Sequence, residues 1–494
     1  KNNTSVRMKL LKDIIYGVRI EEVKGNTNIA VENISFDSRE VNNLSLFIAI
    51  KGHSNDGHDF ISFAEKNGVC AIICEVLPKI LIEGITYIKV SNSSESLGII
   101  SSNFYDNPSE KLKLIGITGT NGKTTCVTLL YDLFRLRGFK TGLISTVNIK
   151  ILHKTIPSTH TTPNALKINQ LLHEMVQHGC THVFMEVSSH ALDQNRVAGI
   201  SFDIGVFTNI SRDHMDYHPT INHYIGSKKK LFKALKKNAF AIINKDDTYG
   251  EEMGRDLSAK VLFYGLKESA NYLGKVIENN ISGLTIEIDG FEMTSRLIGE
   301  FNAYNLLVVY GVAKTLGEDP LTILTIISNL KAPDGRFEYV ISPSKVTAVI
   351  DYAHTPDALE NILKTLVNLR NENQKILTVF GCGGDRDKGK RPLMGEISSI
   401  YSDQIFVTSD NPRSENPNTI IQEICSGIDP EKSGKVSIIE DRREAINKAC
   451  KLAQSGDIVL IAGKGHEKYQ IIGEEKFHFD DLEETIKIFK KNIE

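Results

Sequence analysis

No tryptophan, no Cys-x-x-Cys pair and no apolar run of membrane length occur in the 494 residues. The seven cysteines are odd in number and scattered, so neither a disulfide framework nor a paired-thiol site is read, and a reducing compartment is inferred. Cys70 and Cys74 fall in an apolar, strand-like run where buried thiols are expected. No signal peptide or membrane span is evident, so the chain reads as cytoplasmic. Excess charge of one sign is missing too: 58 Lys and Arg face 61 Asp and Glu. Without a global field to recruit nucleic acid or membrane, any anionic ligand must be held by local basic groups. Internal repeats and low-complexity tracts are absent. The length suggests about three domains.

What is present centres on Leu112-Lys-Leu-Ile-Gly-Ile-Thr-Gly-Thr-Asn-Gly-Lys-Thr-Thr125. Leu114 to Ile117 has the length of a buried strand, and Gly119-Thr120-Asn121-Gly122 is a glycine turn. Beyond Thr124, apolar residues recur at helical spacing through Val127, Leu130, Phe134 and Leu136, until Gly138 stops them. Strand, glycine turn, Lys123, Thr124, Thr125 and helix make a phosphate cradle. Backbone N–H groups face the anion, Lys123 neutralises it and Thr124 offers a hydroxyl to Mg²⁺. The spacing is unusual, because Ile117 stands six before Lys123 and Gly116 one further back.

Three further clusters belong with it. Val183–His190 reads as a buried strand whose carboxylate, Glu186, emerges near the cradle, where P-loop sites use an acid as a second Mg²⁺ contact. His214 and His218 are spaced i, i+4 as in zinc sites. Met rather than Glu follows His214, however, and no third ligand is evident; His214 stays a candidate Mg²⁺ or catalytic residue. A helix predicted over Asn222–Lys237 carries an apolar stripe of Tyr224, Ile225, Leu231, Phe232 and Leu235. Lys228 falls on that stripe, whereas Lys229, Lys230 and Lys233 project elsewhere. A snorkelling side chain is the plain reading. An inward lysine instead loses its charge, becomes nucleophilic and can take up CO₂ as a carbamate, an anionic ligand for Mg²⁺. Asn302 and Asn305 open a later helix and are read as caps or as hydrogen-bonding partners of a base. Arg336 follows a Pro-Asp-Gly turn and is placed in a hinge loop.

The polar, Pro-containing stretch Asn103–Glu110 marks a first boundary. Before it, Ile34–Arg39 and Lys51–His58 form a polar, glycine-punctuated rim, a pattern common in solvated turns. From about 340, strands Val346–Ile350, Ile376–Phe380, Gln404–Val407, Val436–Ile439 and Ile458–Ile461 alternate with helices starting near Asp357, Pro392, Pro417 and Arg442. That pattern is a doubly wound α/β domain, whose ligand crevice lies at the carboxyl ends of its strands. The ends carry Asp351–His354, Gly381–Arg391, Asp410–Arg413 and Ala462–Glu467. In the 381 loop Arg386 replaces the final glycine of a dinucleotide fingerprint, so hydride transfer is rejected. Arg386, Arg413 and Glu467 suit a zwitterion with several carboxylates.

These residues together resemble the Mur ligase family, the ATP-dependent amide-forming enzymes of bacterial peptidoglycan precursor synthesis. The resemblance rests on Gly116–Thr125, Glu186–His190, Asp213–His218, Phe301–Asn305, Asp334–Arg336 and Asp351–His354. It implies three α/β domains: 1–108 for a UDP-muramoyl substrate, 109–338 a P-loop ATPase-like unit, and 339–494 a Rossmann-like amino-acid domain. The Asp410–Arg413 run, the 381 loop and Gly463–Glu467 further imply addition of meso-diaminopimelate to a UDP-N-acetylmuramoyl dipeptide. The expected protein is a monomer that acts on small molecules, with ATP and Mg²⁺.

Roles are implied residue by residue. Gly119 to Thr125, Asn302 and Arg336 would engage ATP. Lys123, Lys228, His214 and Asp351 would serve catalysis. Thr124, Glu186, His214 and carbamylated Lys228 would hold the metal. Phe36, Ser38, His53, Ser54 and Asn55 match the uridine rim, and His160, Thr161, Thr162, Ser188, Gln194 and Arg196 the muramoyl-dipeptide contacts. Arg386, Asp410, Asn411, Pro412, Arg413, Gly463 and Glu467 match the amino-acid pocket. His160, Pro219 and Asn416 depart from the commoner pattern, the last removing a negative charge expected near that pocket. Rival readings are a lysine-adding family member, a folylpolyglutamate-synthase-like ligase, and a nucleotide-binding regulator without turnover.

Overall fold

Three sheets organise the chain in a computed structural model that describes residues 8–52, 55–267, 269–280 and 283–491. The first sheet has five strands in the order Ile20–Lys24, Thr86–Val90, Ala71–Cys74, Ser45–Ile48, Asn33–Ser35. All pair in parallel except the edge strand Ile20–Lys24. Helix Ser93–Phe104 buries Leu97, Ile100 and Phe104 on one face, and Ile61 and Ala64 cover the other.

The second sheet has eleven strands, with a parallel centre and an antiparallel hairpin at each end. At its middle the strands run Thr141–Ile144, His182–Glu186, Lys113–Thr118, Ile204–Phe207, Phe240–Asn244. These strands are apolar on both faces because helices cover both. Lys123–Leu136 and Glu300–Thr315 lie on one side, Ala165–Gln177 and Ile221–Lys233 on the other. The Lys123–Leu136 helix ends where Gly138 adopts φ +88° and Phe139 N–H reaches back to the Phe134 carbonyl, which satisfies the last turn. Helix Ile221–Lys233 stops four residues short of the predicted end, although Leu235 beyond it is still buried.

The third sheet runs Glu338–Ile341, Thr347–Asp351, Ile458–Ala462, Ile376–Phe380, Gln404–Val407, Val436–Ile438, parallel except for its first strand. Each predicted strand of this region appears within one residue of its expected bounds, and the helices start at Pro356, Lys390, Pro417 and Arg442. The chain returns with Ile458–Ala462 between strands formed earlier. The loops after Asp351, Phe380 and Ala462 therefore gather at one crevice. No helix among the described residues is long and apolar enough to cross a membrane.

Candidate active site

The cradle follows the central strand Lys113–Thr118 and is held by its neighbour. Thr208 Oγ1 donates to the Asn121 carbonyl at 2.6 Å, and Asn121 N–H to Asn209 Oδ1 at 2.9 Å. Gly119 has φ +149°, and a Cβ there would stand 1.8 Å from Thr208 Oγ1, so only glycine fits. Two lysines converge on this loop. Lys123 Nζ donates to the carbonyls of Gly119 at 2.8 Å and Thr120 at 2.7 Å, and Lys228 Nζ donates to the same Gly119 carbonyl at 2.7 Å. Lys228 is 1% exposed and lies 4.4 Å from the Tyr224 ring centroid, while Lys230 and Lys233 face solvent. Burial lowers both lysines below the ordinary ammonium range, Lys228 well below it with Lys123 as a second cause. Two lysine amines at one loop, each able to donate, favour an anion beside it.

Glu186 pairs in register with Ile117, which brings its carboxylate to the cradle end of the sheet. It is fully buried, and its oxygens accept from Thr146 N–H at 2.8 Å and Thr146 Oγ1 at 3.1 Å. Thr161 Oγ1 takes part in the same group through Thr146 Oγ1. His214 Nε2 lies 3.3 Å from Asp213 Oδ2, and His354 Nε2 and Lys390 Nζ approach that carboxylate at 3.8 and 4.0 Å. Burial opposes the charge of Asp213, but His214, His354 and Lys390 outweigh it and hold the carboxyl well below the usual range. His218 turns away from His214. Its Nδ1 meets His223 Nδ1 at 2.9 Å and its Nε2 meets Ser189 Oγ at 3.0 Å, so the i, i+4 zinc spacing is not used.

Between the first two sheets opens a cleft of about 1290 Å³. Phe36, Ser38, Asn55, His160, Gln194 and Arg196 line it, together with Tyr217, which sequence reading missed. Arg196 is fixed by Gln194 Oε1, at 2.9 Å from Nε and 2.7 Å from Nη2, and by the Thr162 carbonyl at 2.7 Å. Thr161, Thr162 and Ser188 stand behind the wall. The Thr162 hydroxyl donates to the Glu186 carbonyl at 2.8 Å, and Ser188 caps the following helix. His53 and Ser54 lie outside the described residues.

The third crevice holds the pocket expected for an amino acid. Arg413 Nη1 donates to the Gly384 carbonyl at 2.7 Å, which lays the guanidinium across the 381 loop. Asn411 Nδ2 donates to Glu467 Oε2 at 2.8 Å, and Asn411 Oδ1 accepts from Ile471 N–H at 2.9 Å. Gly463 N–H donates to the Asp351 carbonyl at 3.1 Å. Burial and the charge of Asp410 raise Glu467. Asp410 itself is lowered, because Lys464, Arg442 and Arg413 overcome its burial. Arg386 is exposed at the rim, with Nη1 3.0 Å from the Asp385 carbonyl. Asn416 stands apart from the pocket as N-cap of the helix Pro417–Cys425, accepting from Asn418 N–H at 2.9 Å, a role that Asn fills as well as Asp. Pro219 is exposed just before the N-cap Thr220.

Cradle and crevice touch through the hinge. Arg336 Nη2 donates to Thr124 Oγ1 at 3.3 Å and its guanidinium stacks 4.5 Å from the Tyr352 ring centroid. Both Asp351 oxygens are taken at 2.7 Å by backbone N–H groups, of Phe337 and Ala353. Asp351 therefore fixes the hinge. The capping reading of Asn302 and Asn305 is corrected. Gly299 caps that helix without a side chain, while Asn302 donates to the Ile298 carbonyl at 2.8 Å and accepts from Asn305 Nδ2 at 2.9 Å.

Models of the Mur ligase family match three stretches: the "Mur ligase family, catalytic domain" at residues 30–105, the "Mur ligase middle domain" at 117–313, and the "Mur ligase, glutamate ligase domain" at 335–465. A Cytophaga hutchinsonii protein is 51% identical over 472 residues, covering 95% of this chain and 97% of its own length. The chain belongs to the Mur ligase family. That relative is named UDP-N-acetylmuramoyl-L-alanyl-D-glutamate–2,6-diaminopimelate ligase. A Bacteroides fragilis Mur ligase of the same name is 45% identical over 483 residues, covering 98% of this chain and 100% of its own. A solved Mur ligase structure, also so named, superposes with a TM-score of 0.69 at 32% identity, covering 99% of this chain and 100% of that one.

Within this Mur ligase framework, Thr124 and Glu186 supply hard oxygen donors suited to magnesium, which binds through one or two carboxylates plus substrate phosphates. Among the described residues no three His, Cys, Asp or Glu side chains converge as a metal cage. Asp213, His354, Lys390 and Lys464 are titratable members of the site that no local sequence pattern marks. All four lie inside stretches singled out for other residues, and only tertiary contact brings them together.

Proposed function

We propose that this chain is an ATP-dependent ligase that joins meso-diaminopimelate to UDP-N-acetylmuramoyl-L-alanyl-D-glutamate, in the assembly of peptidoglycan precursors. The observation that carries the reading is the convergence of two lysines, half-buried Lys123 and buried Lys228, on the one Gly119 carbonyl of the glycine loop, between a 1290 Å³ cleft and a crevice of mixed charge. The identity of this chain to the two diaminopimelate ligases supports the choice of reaction.

Three substrates divide among three regions. The cleft takes the UDP-muramoyl dipeptide, with Arg196 available to its carboxylates and Phe36 to the base. The cradle takes the triphosphate, whose charge draws Lys123 Nζ away from the loop carbonyls. A glutamate carboxylate oxygen attacks the γ-phosphorus and ADP leaves, giving an acyl phosphate. Magnesium, when bound, offsets charge on the phosphates, with Thr124, Glu186 and His214 as its protein contacts. A neutral amine of diaminopimelate then attacks the acyl carbon. The nitrogen loses its proton, phosphate departs and the amide remains. Arg413 and Glu467 hold the distal carboxylate and ammonium, whereas Asp351 and Arg336 keep the hinge in register. Lys228 carries the carbamate reading, supported by its burial and by a shift that favours the neutral, nucleophilic amine.

The deciding measurement is ADP formation with a panel of diamino acids. Turnover should require both the UDP-muramoyl dipeptide and diaminopimelate. Equal use of lysine would move the chain to the lysine-adding reading, and ATP consumption indifferent to any amino acid would defeat the ligase reading.

A further inference from the structure

The amino-acid pocket holds a buried cation, Lys464, on the loop after the strand Ile458–Ala462. Lys464 is fully buried, and its Nζ lies 3.0 Å from Asn411 Oδ1, 3.5 Å from Asp410 Oδ1 and 3.7 Å from Glu467 Oε2. It is a cation set between two acids. Arg442, the other fully buried cation nearby, is already matched: it grips Asp481 at 2.8 and 2.7 Å, with both side chains fully buried, and donates to the Ala462 carbonyl at 3.0 Å. Arg413, from the loop after the strand Gln404–Val407, reaches across to the Gly384 carbonyl of the 381 loop. The unmatched charges are thus two carboxylates, Asp410 and Glu467, and two cations, Lys464 and Arg413. An electroneutral pocket with little access to water favours an electroneutral guest, because net charge left buried is costly.

We propose that Lys464 is a specificity-determining, positioning residue: by cancelling one of the two buried acids it fits the pocket to a ligand end bearing both an ammonium and a carboxylate, and against an end bearing an ammonium alone. This rests on the reading of the crevice as a diamino-acid site. Lys464 acts through its neighbours. By donating to Asn411 Oδ1, beside Ile471 N–H on the same oxygen, it turns Asn411 Nδ2 toward Glu467, which fixes the carboxylate that receives the ammonium. Without that cation the pocket carries one net negative charge, which suits the cationic end of lysine.

The test compares the unmodified enzyme with Lys464→Met, Lys464→Arg and the double variant Lys464→Met/Asp410→Asn, at saturating ATP and UDP-muramoyl dipeptide. In Lys464→Met, KM for meso-diaminopimelate should rise about tenfold or more, as for a lost charged hydrogen bond, and KM for ATP should stay within about twofold. The ratio of kcat/KM for diaminopimelate over lysine should fall by at least as much. Lys464→Arg keeps the charge and should retain most of that ratio. The double variant restores neutrality and should recover part of it even if the single Met variant folds poorly. An unchanged ratio in Lys464→Met, or a double variant no more selective than the single one, would overturn the proposal. If the unmodified enzyme turned over neither amino acid, the functional reading would fall first, and this proposal with it.

Discussion

Asn121, in the phosphate loop, donates its side-chain amide to Asp357 Oδ2 at 2.9 Å, across 236 residues of chain. Asp357 sits in the first turn of the helix Pro356–Leu369, where the helix N-terminus favours a carboxylate. The contact ties the loop that is to hold ATP to the sheet that is to hold the amino acid. Asp357→Ala should raise KM for ATP by about tenfold, corresponding to about 1.5 kcal/mol for a hydrogen bond to a charged group. KM for the UDP substrate should not follow, since its cleft lies elsewhere. Steady-state kinetics with each substrate varied in turn check this, and a KM for ATP equal to that of the parent would mean that Asp357 does not position the loop.

Gly119 provides a sharper test of the cradle. Its φ of +149° and the 1.8 Å approach of a Cβ to Thr208 Oγ1 leave no room for alanine. Gly119→Ala must shift the loop, at a cost of about 1–3 kcal/mol in strain alone. ATP-dependent turnover should collapse while the UDP substrate still binds, as titration calorimetry with that substrate would register. Parent-like turnover is the result that contradicts the geometry.

Lys228 separates a structural from a chemical role. Lys228→Ala should be nearly inactive under the carbamate reading, and acetate or a similar short acid should restore part of the activity by supplying the missing anion. The unmodified protein in ¹³C-labelled bicarbonate should show a carbamate carbon signal that the variant lacks. Full activity of Lys228→Ala would refute the assignment.

Much of this arrangement can be read from residue pattern, and the reasons are local. Strands of the third sheet are continuous apolar runs bounded by polar loops, so Ile376–Phe380 and Gln404–Val407 stand where their composition places them. Lys228 could be picked from four neighbouring lysines because helical spacing alone puts it on the buried stripe. Contacts between regions have no such signature. Lys390 near Asp213, Asp357 on Asn121, and the packing of Gly335 against the Gly465–His466 backbone, where a Cβ would stand 2.1 Å from His466 N, depend on how the sheets meet. Asn302 misled for a related reason. It has the composition of a cap, but Gly299 turns the chain before it, and the amide is drawn into a pair with Asn305.

The same junction gives a pH dependence. His466 lies beside Tyr352, with ring centroids 5.0 Å apart, and burial, followed by the charges of Arg336 and His354, lowers its imidazole to about 3. The folded pKa is below the ordinary 6.5, so the folded state refuses a proton that the unfolded chain accepts. Above pH 6.5 both states are neutral here and nothing is lost. As pH falls from 6.5 toward 3, stability declines, by about 2 kcal/mol for this group once its partial exposure is allowed for. Urea midpoints measured across that range should show a steeper acid limb for the parent than for His466→Asn. Parallel limbs would mean that the imidazole is not shielded as the packing requires.

Arg413 bears on the choice of amino acid. Diaminopimelate differs from lysine chiefly by a distal carboxylate, and that anion needs a partner when it leaves water. Arg413 presents a planar fork, its Nη1 held at 2.7 Å by the Gly384 carbonyl, so little side-chain freedom remains to be lost on binding. A charged hydrogen bond of this kind contributes about 1.5–3 kcal/mol, or about 10- to 150-fold in kcat/KM. Arg413→Ala should lose that factor for diaminopimelate and keep KM for ATP. Lysine, which has no distal carboxylate to pair, should lose much less, so the two amino acids converge in the variant. If diaminopimelate and lysine instead declined together, Arg413 would be holding the loop in shape, and the distal carboxylate would have to be read by another group, with Arg386 at the rim and buried Lys464 as the candidate cations.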